Sequence, residues 1–327
     1  MPATSSGVRV PAVPLHSSML GAFQPEVGAV PFPGYRLLRL RGRGGFAAVW
    51  EASTPSGQLI ALNFMSSATA AQTAREIRSL QAIRTLDHDN LLKIRQVWSL
   101  PGCIVIAMDL AEASLMDLLE VYTDELGHPI DVPKLAPYLC EIAGALDFLN
   151  ARKHRIDGRL VGLQHGDIKP NNILLQGDRA KLADYGLATP TSGTVTPCPR
   201  HGTAEYTAPE VFQGSLSERS DQFSLAVTYH VLTTGTFPYP EPPRDREKLK
   251  AYVRPDPDLS RLGTAERVAL ARALSPIPQD RYPNCTDLVT ALLAAHGLMA
   301  GRGEDSKLVI KRNSVGEVEP PKSQVFR

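Results

Sequence analysis

Runs in which apolar and polar residues alternate open the ordered part of the chain: Tyr35 to Arg41 (YRLLRLR), the end of Gly42 to Trp50 (GRGGFAAVW), and Gly57 to Met65 (GQLIALNFM). A two-residue period broken by glycine-rich and Pro-Ser-Gly stretches predicts strands joined by turns. The period then lengthens. Ile77, Leu80 and Ile83 recur at threes, which predicts a helix carrying Glu76 one turn before Leu80 on the same face. Leu135, Leu139, Ile142, Leu146 and Leu149 recur at fours and threes, the pattern of an amphipathic helix with one buried stripe. Phe223 to Leu232 (FSLAVTYHVL) is apolar on all sides and predicts a helix at the centre of a helical region. Strands come first and helices follow, so the expected fold class is α+β, in two regions of different character.

Composition narrows the class of partner. The 327 residues, 43% hydrophobic and 21% charged, suffice for one large or two small packed domains. A net charge of +1 creates no general attraction for nucleic acid or an anionic membrane, so neither is expected as a partner. Cys103, Cys140, Cys198 and Cys285 are far apart, form no CxxC pair and read as free thiols in a reducing compartment. No apolar run approaches the about 20 residues that span a bilayer, and the N-terminus lacks the layout of a signal peptide. A cytoplasmic soluble protein is therefore expected. Residues 1–33 mix Pro, Ser, Gly and Ala without periodicity, and residues 300–327 look similar, so both are expected to be flexible tails, with Leu308, Val309 and Ile310 able to dock locally.

Candidate chemistry lies in the glycines and in three motifs. Gly42, Gly44 and Gly45 let backbone N–H groups approach phosphates without a Cβ in the way, although a glycine-rich hairpin is more often just a turn. His165 to Asn172 (HGDIKPNN), Lys181 to Gly186 (KLADYG) and Gly202 to Glu210 (GTAEYTAPE) then follow in order. Together they resemble the catalytic loop, metal-binding tripeptide and activation-segment end of the eukaryotic-type protein kinase superfamily. The wording HGDIKPNN, LADYGLA and AMDLAEASL is similar to that of bacterial serine/threonine kinases. The resemblance covers residues from about 34 to about 297. It implies a bilobal protein-kinase-like fold, with an antiparallel sheet and one helix over 34–111 and a mainly helical lobe over 112–299. It also implies ATP and Mg²⁺ as cofactors for phosphoryl transfer to Ser or Thr of a protein.

The roles implied by the resemblance fall on named residues. Asp167 would accept or orient the substrate hydroxyl proton, Lys169 would contact the γ-phosphate, and Asn172 with Asp184 would hold the metal. Val49, Ala61 and Leu174 would sandwich the adenine, with Met108 at the back of the pocket and Asp109 to Ala111 supplying backbone hydrogen bonds. His165 and Tyr185 would pack. Glu210 would pair with Arg281, and Asp221 would brace the catalytic loop. Taken singly, Asp167 reads as a helix cap, Asp184 as a turn residue and the apolar positions as core; the joint pattern carries the functional assignment.

Three positions depart from the family pattern. Ala47 stands at the third glycine of the loop and stiffens it slightly. Gly166 replaces the arginine that usually precedes the catalytic aspartate, removing the cation that a phosphorylated activation segment would engage. Asn63, in Ile60-Ala-Leu-Asn63, occupies the place of the lysine that links the α- and β-phosphates to Glu76. If that lysine acts as one preorganised transition-state donor, its loss costs about 3–4 kcal/mol, or roughly 10²–10³ in rate. Arg41 and Arg43 flank the loop as candidate substitute cations, and Thr191, Ser192, Thr194 and Thr196 are candidate autophosphorylation sites. The alternatives are a pseudokinase that binds nucleotide or protein as a scaffold, supported by Asn63, and a small-molecule phosphotransferase, which the Ala208-Pro-Glu segment disfavours.

Overall fold

The computed structural model describes residues 24–44, 47–66, 77, 80, 83–100, 102–156, 158–185, 188–191, 195–197, 202–302 and 308–312. The chain divides into two compact units, one formed by Met1–Leu86 and Leu92–Leu110, the other by Asp87–Leu91 and Ala111–Arg327.

The first unit is built on an antiparallel sheet of strands β1 (Arg36–Arg43), β2 (Ala47–Ser53), β3 (Leu59–Ser66), β4 (Ile94–Leu100) and β5 (Cys103–Asp109), in the order β1-β2-β3-β5-β4. Alternation sorts its side chains. Ala48, Trp50, Ala52, Ile60, Leu62, Phe64, Val105 and Ala107 join Leu37 in one buried cluster, while Val49, Ala61, Asn63 and Met108 belong to the opposite face. Ile77, Leu80 and Ile83 are helical, and Leu80 and Ile83 are fully buried, as their spacing predicts.

Residues 24–33, which composition assigns to a flexible tail, pack on this sheet instead. Phe32 stacks on Trp98 with ring centroids 4.2 Å apart, Tyr35 meets Trp98 edge-on at 5.1 Å, and Gly28 N–H donates to Leu37 O. A few aromatic contacts suffice to order a segment whose average composition is that of a linker.

The second unit is mainly helical. Helix Val132–Asn150 buries Leu135, Leu139, Ile142, Leu146 and Leu149, and helix Ser220–Thr234 is buried along almost its whole length, both as expected from their patterns. Helices Thr264–Ala273 and Cys285–Ala295 pack against each other, and Cys285–Ala295 also packs on Val132–Asn150. Asp147 holds that junction by accepting the free N–H groups of Cys285 and Thr286 at 2.8 and 3.0 Å. Short strands edge the helical core. His154–Ile156 and Arg159–Gln164 form a hairpin, and Thr189–Thr191 adds to it with Thr189 opposite Gln164. Leu298–Arg302, which runs into the expected C-terminal tail, pairs with Leu308–Arg312 inside it. Among the described residues no helix is long and apolar enough to cross a membrane.

Candidate active site

The second unit brings Asp167, Lys169, Asn172 and Thr203 together. The Lys169 ammonium donates to Asp167 Oδ2 at 2.8 Å and to Thr203 Oγ at 2.6 Å. Thr203 returns two bonds to Asp167 Oδ1, from its N–H and its hydroxyl, both 2.8 Å. Asn172 Nδ2 donates to Asp167 O at 2.8 Å and to Oδ2 at 3.0 Å. Burial alone would raise the Asp167 pKa, but the charge of Lys169 and the bonds from Lys169 and Thr203 outweigh it and hold the carboxyl below 3.8. Asp167 is thus an oriented, ionised acceptor with both oxygens fixed.

The backbone beneath it is held from below. Asp221 accepts the N–H of His165 at 2.6 Å and of Gly166 at 2.8 Å. His165 Nδ1 accepts Asp167 N–H and its Nε2 contacts Ala183 O at 2.7 Å, which together fix the orientation of the ring. Gly166 has φ +80°, a conformation that disfavours a side chain there. Gly202, at φ +94°, lies so close that a Cβ would stand 2.3 Å from Gly166 O. The two glycines therefore set the approach of the 202–210 segment to the catalytic loop.

The far end of that segment is anchored as expected. Arg281 grips Glu210 through two 2.8 Å bonds, and the hydroxyls of Ser217 and Ser220 also reach Glu210 Oε1. Burial would raise the Glu210 pKa, and Arg281 outweighs it and holds the carboxyl below 4.5. Strand Val195–Pro197 pairs with Ser215–Ser217 and supports the same segment. Thr191 is fully buried, so it does not offer its hydroxyl as an autophosphorylation site in this conformation. Thr196 is half-buried, and Ser192 and Thr194 lie outside the described residues.

Asp184 and Asn172 are the residues assigned to the metal. Asp184 adopts a left-handed backbone, φ 58°, the one non-glycine to do so among the described residues. Its side chain is exposed. The surrounding mass of protein nevertheless pushes its pKa up, opposed by His165 and Lys169 and aided by Asp167. The open face decides access, and a cation would favour the ionised form. The bonds of Asn172 engage its Nδ2 and leave its amide oxygen uncommitted among the described residues. One carboxylate and one amide oxygen fit Mg²⁺, which keeps several waters and takes few protein ligands alongside phosphate.

In the first unit, Val49 lies opposite Asn63, Asn63 opposite Ile106, and Ala61 opposite Met108, which places the assigned residues on one sheet face. Asn63 is 3% exposed and its Oδ1 is buried without a hydrogen-bond partner among the described residues. Arg41 reaches Glu51 at 3.4 Å, and Arg39 reaches the same carboxylate at 2.7 Å. Glu51 stands opposite Ala61, two positions from Asn63 along β3. Arg43 is exposed. At Gly42 a Cβ would meet nothing within 4 Å, so the chain's own packing does not demand glycine there. Gly44 N–H closes the turn onto Ala47 O at 2.8 Å. Asp109 N–H bonds Lys93 O, and its carboxylate bonds Arg95. Leu174 lies on strand Ile173–Gln176 of the second unit, opposite Lys181 and Ser114. Ala111 lies just before the two-residue strand Ala113–Ser114. Gly45 and Glu76 lie outside the described residues.

Sequence reasoning did not single out Glu51, Ser217, Ser220 or Arg254, none of which belongs to a motif read from the sequence.

Comparison with known proteins identifies the family. A family model described as protein kinase domain matches residues 35–296. The chain is 29% identical over 310 residues to serine/threonine-protein kinase PknE of Mycobacterium tuberculosis, covering 89% of this chain and 50% of that protein. It is 28% identical over 324 residues to serine/threonine-protein kinase PknF of the same species, covering 90% and 62%. It is 29% identical over 313 residues to serine/threonine-protein kinase PknH of Mycobacterium bovis, covering 90% and 49%. The chain therefore spans about half to three fifths of the length of these relatives. The family match, the five-stranded antiparallel sheet, the helical second unit and the ordered motifs place this chain in the protein kinase family, alongside the bacterial serine/threonine kinases.

Proposed function

We propose that this chain is an ATP- and Mg²⁺-dependent serine/threonine protein kinase, with transfer impaired by Asn63. The observation that carries the reading is the closed network of Asp167, Lys169, Asn172 and Thr203. An ionised, doubly oriented carboxylate is suited to receive or align the hydroxyl proton of a Ser or Thr side chain. Lys169, beside it, is placed to neutralise the migrating phosphoryl group. Asn172 and Asp184 would hold Mg²⁺, which when bound neutralises phosphate charge. Val49, Ala61, Met108 and Leu174 would take the adenine, with Asp109 to Ala111 as backbone partners and Gly42, Gly44 and Gly45 at the phosphates.

In this reading residues 34–111 form the small lobe and 112–299 the large one. The anchored segment from Gly202 to Glu210 suits an extended peptide and so favours a protein acceptor over a small molecule. The thiols of Cys103, Cys140 and Cys285, all free and buried, support a reducing, cytoplasmic setting.

Asn63 favours a second reading, a scaffold that holds nucleotide or a protein partner without transfer. The deciding experiment is Mg²⁺-dependent phosphate transfer from ATP to a generic protein acceptor, run beside Asp167→Ala. Transfer above the Asp167→Ala background supports the enzyme. Equal background in both, with ATP binding retained, supports the scaffold.

A further inference from the structure

We infer that Arg254 is a positioning residue for the protein acceptor, clamping the 203–207 loop so that Thr203 stays seated on Asp167 and Lys169; the link to an acceptor rests on the kinase reading above. Arg254 lies in the irregular stretch between the short helix Arg246–Lys250 and the helix Thr264–Ala273. Its guanidinium crosses 47 to 50 residues of sequence to bond the loop. Nη2 donates to Ala204 O at 2.6 Å, Glu205 O at 2.9 Å and Thr207 O at 2.8 Å, and Nε donates to Thr207 O at 3.0 Å. Ser224 Oγ takes the remaining carbonyl, Tyr206 O, at 2.9 Å. All four carbonyls from 204 to 207 are thus held by side chains from outside the loop.

Arg254 is itself held by rings. Its Cζ lies 4.7 Å from the Tyr239 centroid, 5.2 Å from Phe212 and 5.5 Å from Phe223. Among the described residues no carboxylate forms an ion pair with it, and its Nη1 is buried without a partner. A buried cation left without an anion is costly, and the geometry directs its other donors into the loop's carbonyls. Arginine suits this task because a planar fork can serve several carbonyls while stacking on aromatic faces, which an ammonium cannot do.

The consequence is local. Thr203 O accepts Tyr206 N–H at 3.0 Å and Thr207 Oγ at 2.9 Å, so the clamped residues are bonded directly to the one that touches Asp167. Releasing the clamp frees Thr203 and lets the acceptor platform wander, while the assigned nucleotide and metal residues keep their own contacts.

The test measures hydrogen exchange in the full chain for the parent, Arg254→Lys and Arg254→Gln, with thermal unfolding in parallel. This readout needs no catalysis, so it stands even if the chain proves to be a scaffold. Exchange of the 203–207 amides should rise by about ten-fold or more in both variants, with helices Val132–Asn150 and Ser220–Thr234 unchanged. In an Asn63→Lys chain, Arg254→Lys should raise KM for a protein acceptor by about ten-fold while KM for ATP shifts by less than about two-fold. Unchanged exchange at 203–207 overturns the proposal. So does loosening spread evenly over the unit, or an equal rise in both KM values, since each would mark Arg254 as a general packing residue. If Arg254→Gln does not fold, Arg254→Lys alone decides by the same criteria.

Discussion

The catalytic loop of the larger unit and the third strand of the smaller one carry opposite kinds of polar residue. Around Asp167 each carboxylate oxygen has partners, and the ammonium of Lys169 lies between Asp167 and Thr203. On β3 the buried amide of Asn63 keeps an oxygen with no partner among the described residues, at the position where the resemblance places a lysine. The first region is a finished network in which every charge is balanced. The second holds a neutral amide where the resemblance implies a charge, with no packed apolar replacement. This difference separates two tasks of phosphoryl transfer. Under the proposed kinase reading, the apparatus for the acceptor hydroxyl would be complete, and a deficit would fall on the grip of the phosphate donor.

The sharpest way to break this contrast is at Asp167. Asp167→Ala should lower any phosphate transfer by about 10³-fold, with ATP affinity nearly unchanged. A loss of transfer that tracks a loss of ATP binding would dissolve the distinction between the two regions.

The anchor of the acceptor segment gives the next largest effect. Arg281→Met should cost about 3–5 kcal/mol in denaturant unfolding, because it leaves the buried Glu210 carboxylate uncompensated. The same pair sets an acid limit. The Glu210 pKa is held below its unfolded value of 4.5, so its contribution is whole above that pH and is lost as pH falls toward the lowered folded value. Replacing both partners by apolar residues should remove that acid sensitivity, which unfolding followed across the acid range would reveal.

Gly202→Ala is expected to cost about 1–3 kcal/mol through backbone strain and its clash with Gly166 O. Exchange should rise across 202–207 and not on β3. The smallest effect concerns the helical core. Burial holds the His230 pKa below 6.5, against the opposing hydrogen bond of Nδ1 with Thr236 O. The unfolded chain therefore takes up this proton first, and stability declines as pH drops below 6.5 toward the folded value. The slope is at most about 1.4 kcal/mol per pH unit for this group, and His230→Gln should flatten it in urea unfolding.

Much of this was legible from residues alone. The stripe from Leu135 to Leu149 is buried as its spacing requires, and HGDIKPNN pointed to Asp167, Lys169 and Asn172, which the fold gathers with Thr203. Where legibility failed, the cause was tertiary. Thr191 looks like any loop threonine until its strand pairs with Arg159–Gln164 and buries it. Phe32 is one apolar residue in a Pro- and Gly-containing stretch, and only Trp98, 66 positions on, gives it a place. Arg254 sits between Val253 and Pro255 with no periodicity to mark it, and its partners lie on a loop distant in sequence. Arg41 lies near the glycines and suggests a substitute cation, and its contact with Glu51, opposite Ala61, comes from cross-strand register that spacing does not reveal.

The most direct test of the central claim is the rate of Mg²⁺-dependent phosphate transfer from ATP to a protein acceptor by Asn63→Lys relative to the parent chain. If the acceptor apparatus is complete and only the donor's cation is missing, the substitution should raise kcat/KM by roughly 10²–10³-fold. An Asn63→Lys chain that binds ATP, folds as well as the parent and transfers no faster would contradict the account.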